Sequence, residues 1–129
     1  VEEIHCEIPA NGRVATFLPF DVLLPKIDLL VTNGGYGSVS QALAAGVPIV
    51  SAGLTEDKAE VGARIEWSGV GLNLATNRPT VDALRWAVER VLTEQRFRER
   101  ARVMARAFAD LDPGREILAA IDALTHVSG

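Results

Sequence analysis

The 129-residue sequence contains little cysteine, few aromatic residues and no excess of basic side chains, and these shortages exclude several classes of protein. A single cysteine, Cys6, excludes an internal disulfide framework, so a reducing cytoplasm is the expected location. No apolar run approaches the roughly 20 residues that span a bilayer, so no transmembrane segment is expected. The net charge of −4 argues against nucleic acid as a partner, because nucleic-acid-binding domains are normally basic.

What the sequence does contain is enough apolar material for a buried core. Hydrophobic residues make up 48% of the chain and charged residues 23%, which is typical of a globular domain. The length fits a single domain over residues 1–129. Because the sequence begins at Val1 and not at methionine, we expect this domain to be a fragment of a larger two-domain enzyme.

Strand-like and helix-like segments alternate along the first two thirds of the chain. Predicted strands are Arg13–Leu18, Ile27–Thr32, Val47–Ser51 and Val70–Leu74. Predicted helical segments between them are Phe20–Pro25, Ser38–Ala45 and Thr55–Trp67. The second strand is nearly all apolar, as expected for a strand buried on both faces. This order predicts an α/β fold, with a Rossmann-like parallel sheet, flanking helices and a ligand at the C-terminal ends of the strands.

The last third of the chain is predicted to be helical. Thr80 caps one helix, a second starts near Gln95, and Asp112-Pro113 opens a third. Apolar residues recur at helical spacing in the second helix at Phe97, Ala101, Met104, Phe108 and Leu111. The arginines between them are interpreted as a solvated face, with an anionic membrane surface as the minority interpretation. These arginines are Arg96, Arg98, Arg100, Arg102 and Arg106.

Three local interpretations concern capping and packing. Gly46 is a suitable residue to end the helix at Ala45. Asp57 and Glu60 have the spacing of a capping box for the helix that follows. Trp67 and Trp86 lie within predicted helices, where packing is the favoured role.

A glycine-rich turn, Asn33-Gly34-Gly35-Tyr36-Gly37, joins the buried strand to the next helix. Glycines there allow backbone amides to approach a ligand, and the helix start adds partial positive charge, which favours phosphate. The alternative is a tight turn that needs glycine only for its backbone angles. Three glycines in four residues exceed the need of one turn, so phosphate binding is favoured.

Two common phosphate motifs fit the turn poorly. A P-loop requires Gly-Lys followed by Ser or Thr, and the sequence contains no such triplet. A dinucleotide fingerprint starting at Gly35-Tyr36-Gly37 has Ser40 at its last glycine position. Its acidic residue would be Asp57, which Gly53-Leu54-Thr55 separates from the preceding strand.

A series of short motifs runs from Arg13 to about Leu92. They are Phe17-Leu18-Pro19, Leu23-Leu24-Pro25, Thr32-Asn33-Gly34-Gly35, Gly37-Ser38, Gln41, Gly46-Val47-Pro48 and Asp57-Lys58. In order and spacing these motifs resemble those of the C-terminal, donor-binding domain of GT-B-fold glycosyltransferases, in the bacterial natural-product and lipid branch of the UDP-glycosyltransferase superfamily. Three positions depart from the family pattern: Asn33 stands for histidine, Gln41 for a carboxylate and Lys58 for glutamine.

The resemblance implies a role for each matching residue in binding a UDP- or dTDP-sugar. Phe17 and Leu18 would meet the base, and Gln41 the ribose. Asn33 would lie beside the diphosphate, and Asp57 and Lys58 would face the transferred sugar. The diphosphate itself would be held by Gly35, Gly37 and Ser38.

The implied reaction is inverting, metal-independent transfer of a sugar to an acceptor hydroxyl, with no cofactor beyond the donor substrate. The general base would be a histidine of the N-terminal acceptor domain, so no catalytic residue is expected in this chain. His5 and His126 lie outside every motif and are interpreted as surface residues. Asp110-Leu111-Asp112 resembles a D-x-D metal motif, but capping before Pro113 is favoured, and no metal is expected. The alternatives are a non-catalytic nucleotide-binding or regulatory module and, less favoured, a dinucleotide-binding oxidoreductase domain.

Overall fold

A three-stranded parallel sheet forms the centre of the fold. The structure is a computed structural model and describes residues 7–55 and 57–109. Strands β1 (Leu30–Thr32), β2 (Ile49–Ser51) and β3 (Gly71–Asn73) lie side by side in that order. The predicted α/β class with a parallel sheet is confirmed, and the three strands lie within three of the predicted segments.

Five α-helices connect or follow the strands in the described part of the chain. They are α1 (Phe20–Leu23), α2 (Tyr36–Ala44), α3 (Lys58–Ser68), α4 (Val81–Thr93) and α5 (Gln95–Ala109), and a 3-10 turn (Leu24–Lys26) follows α1. The Thr80 hydroxyl accepts from the Ala83 amide at 3.1 Å, which confirms the predicted cap of α4. Gly46 follows α2 with a φ of +74°, which confirms its role in ending that helix.

The two faces of the sheet bury different helices because successive strand residues point to opposite sides. On one face, Ile49 belongs to a core cluster with Val39 and Leu43 of α2 and Ile65 of α3. On the other face, Val50 packs with apolar residues of α4 and α5, which are Ala87, Val91 and Phe97. Helices therefore cover both faces of β2, the central strand of the described sheet.

Helix α5 crosses the edge at which the strands begin. The Arg98 guanidinium contacts the carboxylate of Asp28, just before β1, at 3.1 Å. The Arg100 guanidinium donates to the carbonyl of Ser68, just before β3, at 2.8 Å. The expectation that the α5 arginines form a solvated face is therefore wrong for these two residues. Their partners are distant in sequence, so helical periodicity alone could not reveal them.

The predicted strand at Arg13–Leu18 is wrong. Residues 13–18 have no strand conformation, and all of their side chains are exposed. Phe17, for example, is 78% exposed. A strand requires a hydrogen-bonded neighbour, and within the described residues this segment pairs with none of the three strands.

The expected burial of the second predicted strand on both faces is also wrong. Val31 in β1 is 50% exposed, whereas its register partner Val50 in β2 is fully buried. The physical reason is the position of α4, which packs against β2 and β3, and the position of β1 at an edge of the described sheet.

Two other local expectations fail. Asp57 is the N-cap residue of α3, but its side chain makes no capping bond, because its backbone is helical with φ −85° and ψ −1°. Glu60 instead lies 3.7 Å from the Arg64 guanidinium. Trp67 and Trp86 are 64% and 51% exposed, so neither is a core residue. The core-facing positions of these two helices are instead occupied by smaller residues, such as Val61 and Ile65 in α3 and Ala87 and Val91 in α4.

Several sequence predictions lie outside the described residues. These are Cys6, the two histidines His5 and His126, Asp110-Leu111-Asp112, and the final helix opened by Asp112-Pro113. Among the residues that are described, no helix is both long and apolar enough to cross a membrane.

Candidate functional site

Polar side chains occupy the last position of all three strands. Thr32, Ser51 and Asn73 are neighbours in register across the sheet. The Ser51 hydroxyl donates to Asn73 Oδ1 at 3.2 Å, and the Asn73 side chain also accepts from the Ala75 amide at 3.0 Å. Since the strands are parallel, these residues form one polar edge, where a ligand of an open α/β sheet is expected.

The glycine-rich turn leads directly from this edge into α2. Gly34 is buried and has a φ of +92°, a conformation that favours glycine. Gly35 is the N-cap residue of α2, so the helix begins at Tyr36, two residues earlier than predicted. The amides of Gly37 and Ser38 therefore belong to the first helical turn, where backbone N–H groups have no acceptor within the helix.

The turn after β1 rests against the turn after β2. A Cβ atom added to Gly53 would overlap the Asn33 carbonyl oxygen and would lie 3.2 Å from Lys58 Cδ. A Cβ atom at Gly34 would lie 3.9 Å from Lys58 Cβ, in ordinary contact. The starts of α2 and α3 thus converge, and Lys58 lies beside the glycine-rich turn. Sequence reasoning gave Gly53 no role, although a glycine two residues beyond the end of β2 is a signal of close approach.

Asn33 is held by a local hydrogen bond. Its Oδ1 accepts from the Gly35 amide at 3.3 Å, as in an Asx turn. Because Oδ1 is used in this bond, the part of the Asn33 side chain that can donate a hydrogen bond to a ligand is its NH2 group, and the residue is exposed. Gly35 is one of the residues that the resemblance assigned to the diphosphate, and in this structure its amide donates to the Asn33 side chain.

Gly35 and Gly37 differ from Gly34 in that the fold does not require them to be glycine. Apart from its chain neighbours and its own helix backbone, an added Cβ at Gly37 would meet no atom of the described residues within 4 Å, and one at Gly35 would meet only Asn33 Oδ1 among them, at 3.7 Å. Neither residue has a positive φ. Gly37 therefore leaves open space beside the first turn of α2.

A shallow groove of about 450 Å³ lies near the same helix. Three of the predicted donor-binding residues line it, namely Phe17, Leu18 and Gln41. Gln41 lies on α2 one turn beyond Gly37 and Ser38, and all of these residues except Ser38 are exposed. Through Gln41, the groove thus lies about one helical turn from the start of α2.

The predicted site residues therefore fall into two neighbouring groups. The first group lies at the glycine-rich turn and the starts of the two helices that follow β1 and β2. It consists of Asn33, Gly35, Gly37, Ser38 and Lys58, with Asp57 preceding Lys58 at the N-cap of α3. The second group lines the groove and consists of Phe17, Leu18 and Gln41. Within residues 7–55 and 57–109, no cluster of three His, Cys, Asp or Glu side chains could hold a metal ion.

The comparison with known families decides the classification. The model of the erythromycin biosynthesis protein CIII-like C-terminal domain matches residues 2–124. The chain belongs to this family. Family membership and the parallel sheet with flanking helices together identify the fold as the C-terminal domain of a GT-B glycosyltransferase.

Relatives of the chain in bacteria and fungi include proteins that are named glycosyltransferases. The chain is 46% identical over 122 residues to 4'-demethylrebeccamycin synthase of Lentzea aerocolonigenes, covering 95% of this chain and 28% of the relative. It is 44% identical over 118 residues to UDP-glycosyltransferase 2 of Phaeomoniella chlamydospora, covering 92% of this chain and 26% of the relative. The chain therefore spans about a quarter of the length of these two enzymes.

A solved structure of a glycosyltransferase has a similar fold. VinC, determined in complex with dTDP, superposes with a TM-score of 0.78 at 25% sequence identity. The match covers 94% of this chain and 31% of VinC.

Proposed function

We propose that this domain binds the nucleoside diphosphate of a UDP- or dTDP-sugar at the start of α2. The observation that carries the proposal is the space beside Gly37, where an added methyl group would meet no described residue outside its own helix within 4 Å. Next to this space are the N–H groups of the first turn and the Ser38 hydroxyl, which suit a diphosphate. The dTDP complex of VinC supports a thymidine nucleotide, and the name of the fungal relative supports uridine.

In this proposal the two groups of residues bind different parts of the donor. Phe17 and Leu18 contact the base and Gln41 the ribose, because they line one groove beside α2. The Asn33 NH2 group donates to the diphosphate, while Asp57 and Lys58 face the sugar from the start of α3.

As part of the whole enzyme, the domain presents the sugar for inverting transfer. The acceptor hydroxyl attacks the anomeric carbon, and the bond to the diphosphate oxygen breaks. A general base from the acceptor domain removes the hydroxyl proton. The nucleoside diphosphate leaves with the bonding electrons, and helix-start amides stabilise its charge without a metal ion.

Calorimetry with UDP, dTDP and NAD tests donor binding directly. We expect UDP or dTDP to bind, NAD to bind less tightly than either diphosphate, and EDTA to leave the affinity unchanged. Tighter binding of NAD would instead support the dinucleotide-binding oxidoreductase. A requirement for a metal ion would contradict the metal-independent site.

Asn33→Asp sharpens this test. The variant keeps the acceptor for the Gly35 amide but replaces the NH2 donor with a negative charge. Two like charges about 4 Å apart repel by roughly 1 kcal/mol in bulk water and by roughly 4 kcal/mol near a protein surface. Diphosphate affinity should therefore fall by roughly fivefold or more at neutral pH. Gln95→Glu is the matched control, since it adds the same charge near Asp28 and Pro48, where the strands begin. Equal affinity of Asn33→Asp and the parent would exclude Asn33 from the site.

A further inference from the structure

The hydroxyl groups of Thr32 and Ser38 form a direct hydrogen bond between the end of β1 and the first turn of α2. The two oxygen atoms are 2.9 Å apart and partly buried, although six positions separate the residues in sequence. The family motifs contain both residues, but the donor-binding roles described above include only Ser38.

The neighbouring hydrogen bonds favour one of the two possible directions for this contact. Thr32 Oγ1 accepts from the Gly34 amide at 3.3 Å. Ser38 Oγ donates to the Gly35 carbonyl at 3.4 Å. Each hydroxyl has one hydrogen, so when Ser38 uses its own on Gly35, Thr32 is the donor in the 2.9 Å bond. The bonds then run in one direction, from the Gly34 amide through Thr32 to Ser38.

We propose that Thr32 is a positioning residue that turns the Ser38 hydroxyl hydrogen toward a bound diphosphate. The proposal rests on the proposed function, since it requires a diphosphate at the start of α2. The 3.4 Å bond from Ser38 to Gly35 is the longest of the three bonds, so it is the one that a phosphate oxygen replaces at least cost. A hydroxyl that accepts a hydrogen bond also becomes a better donor, because chains of hydrogen bonds polarise one another.

The test compares dTDP and UDP affinities of the parent chain with those of four variants. Thr32→Val keeps the β-branched shape but removes the hydroxyl, and Thr32→Ser keeps the hydroxyl. Ser38→Ala and the double variant Thr32→Val/Ser38→Ala complete a double-mutant cycle. The melting temperature of each variant is measured without ligand, to record any structural effect separately.

Thr32→Val should weaken binding roughly threefold to tenfold, the usual worth of one hydrogen bond. Thr32→Ser should bind within about twofold of the parent, which shows rescue by the hydroxyl. In the Ser38→Ala background, Thr32→Val should cause no further loss beyond about twofold, because the hydroxyl that it orients is absent. A structural role alone would lower the melting temperature but would not produce this coupling in the affinities.

Two results would overturn the proposal while leaving the donor site intact. One is a Thr32→Val variant that binds dTDP and UDP as tightly as the parent chain does. The other is an equal loss of affinity from Thr32→Val with and without the Ser38 hydroxyl. If the parent itself bound neither dTDP nor UDP, the proposed function would fail, and the role of Thr32 would fail with it.

Discussion

Glycine occurs in both strand-to-helix turns that converge at the polar edge of the sheet, but the surroundings of these glycines differ. In the turn after β2, a Cβ atom on Gly53 would overlap the Asn33 carbonyl. At the start of α2, directly after the turn that follows β1, a Cβ atom on Gly37 would meet no described residue outside its own helix within 4 Å. The first glycine is explained by packing within the chain. The second has no such packing partner among the described residues, and the donor site proposed above uses the space beside it.

Gly34 lies between these two cases. It is buried, but its Cβ would make only ordinary contacts, of which the closest are at 3.8 Å. Its constraint is the backbone, with a φ of +92°. Substitution of these three glycines therefore separates three reasons why glycine could be needed at a position. Gly53 tests steric overlap, Gly34 tests backbone conformation, and Gly37 tests access for a ligand.

Gly53→Ala should have the largest effect on stability. The added methyl group must displace the Asn33 carbonyl, so we expect a loss of about 2–3 kcal/mol in the free energy of unfolding, together with weaker nucleotide binding. Denaturant unfolding measures the first effect and calorimetry the second. Gly35→Ala is the matched control, because its added Cβ has only an ordinary contact at 3.7 Å. Equal stability of the two variants would show that the turns are not packed as described.

Gly34→Ala should have an intermediate effect on stability. Alanine in the left-handed region costs about 1–2 kcal/mol, and no steric overlap adds to this cost. Gly34→Asn should cost less, since asparagine adopts this conformation more readily. Denaturant unfolding of both variants measures the difference. If Gly34→Asn lost more stability than Gly34→Ala, the need for glycine at this position would come from limited space and not from backbone conformation.

Local sequence signals predicted the elements of the fold well. The sequence predicted a helix over Ser38–Ala45, and the buried positions of α2, which are Val39, Ala42 and Leu43, follow helical periodicity. The cap at Thr80 and the glycine at position 46 were also confirmed, because each depends on the residues next to it.

The errors concern properties that depend on distant residues. The segment Arg13–Leu18 has the composition of a strand, but composition does not specify a pairing partner, and the described sheet provides none. Trp86 was expected to pack, yet the small Ala87 lets α4 approach the sheet and leaves the tryptophan outside, 5.1 Å from the Arg90 guanidinium. Arg98 reaches Asp28, 70 positions away, and local sequence spacing contains no information about such a contact.

The candidate site could be predicted only in part, for the same reason. The sequence identified a glycine-rich turn between a strand and a helix, and the structure has that turn. It could not separate the glycine needed for the backbone, Gly34, from Gly37, which the fold leaves free. It also gave no role to Gly53 or Thr32, because their contacts cross between turns and elements.

Gly37→Ala tests the central claim most directly. Alanine favours the helix over glycine, so the variant should be as stable as the parent or more stable by up to about 1 kcal/mol. If a diphosphate occupies the space beside Gly37, the methyl group should nevertheless weaken dTDP or UDP binding by at least about fivefold, since overpacking costs roughly 1–3 kcal/mol. Denaturant unfolding and calorimetry on the same preparation give both values. Unchanged affinity at unchanged stability would contradict a diphosphate site at the start of α2.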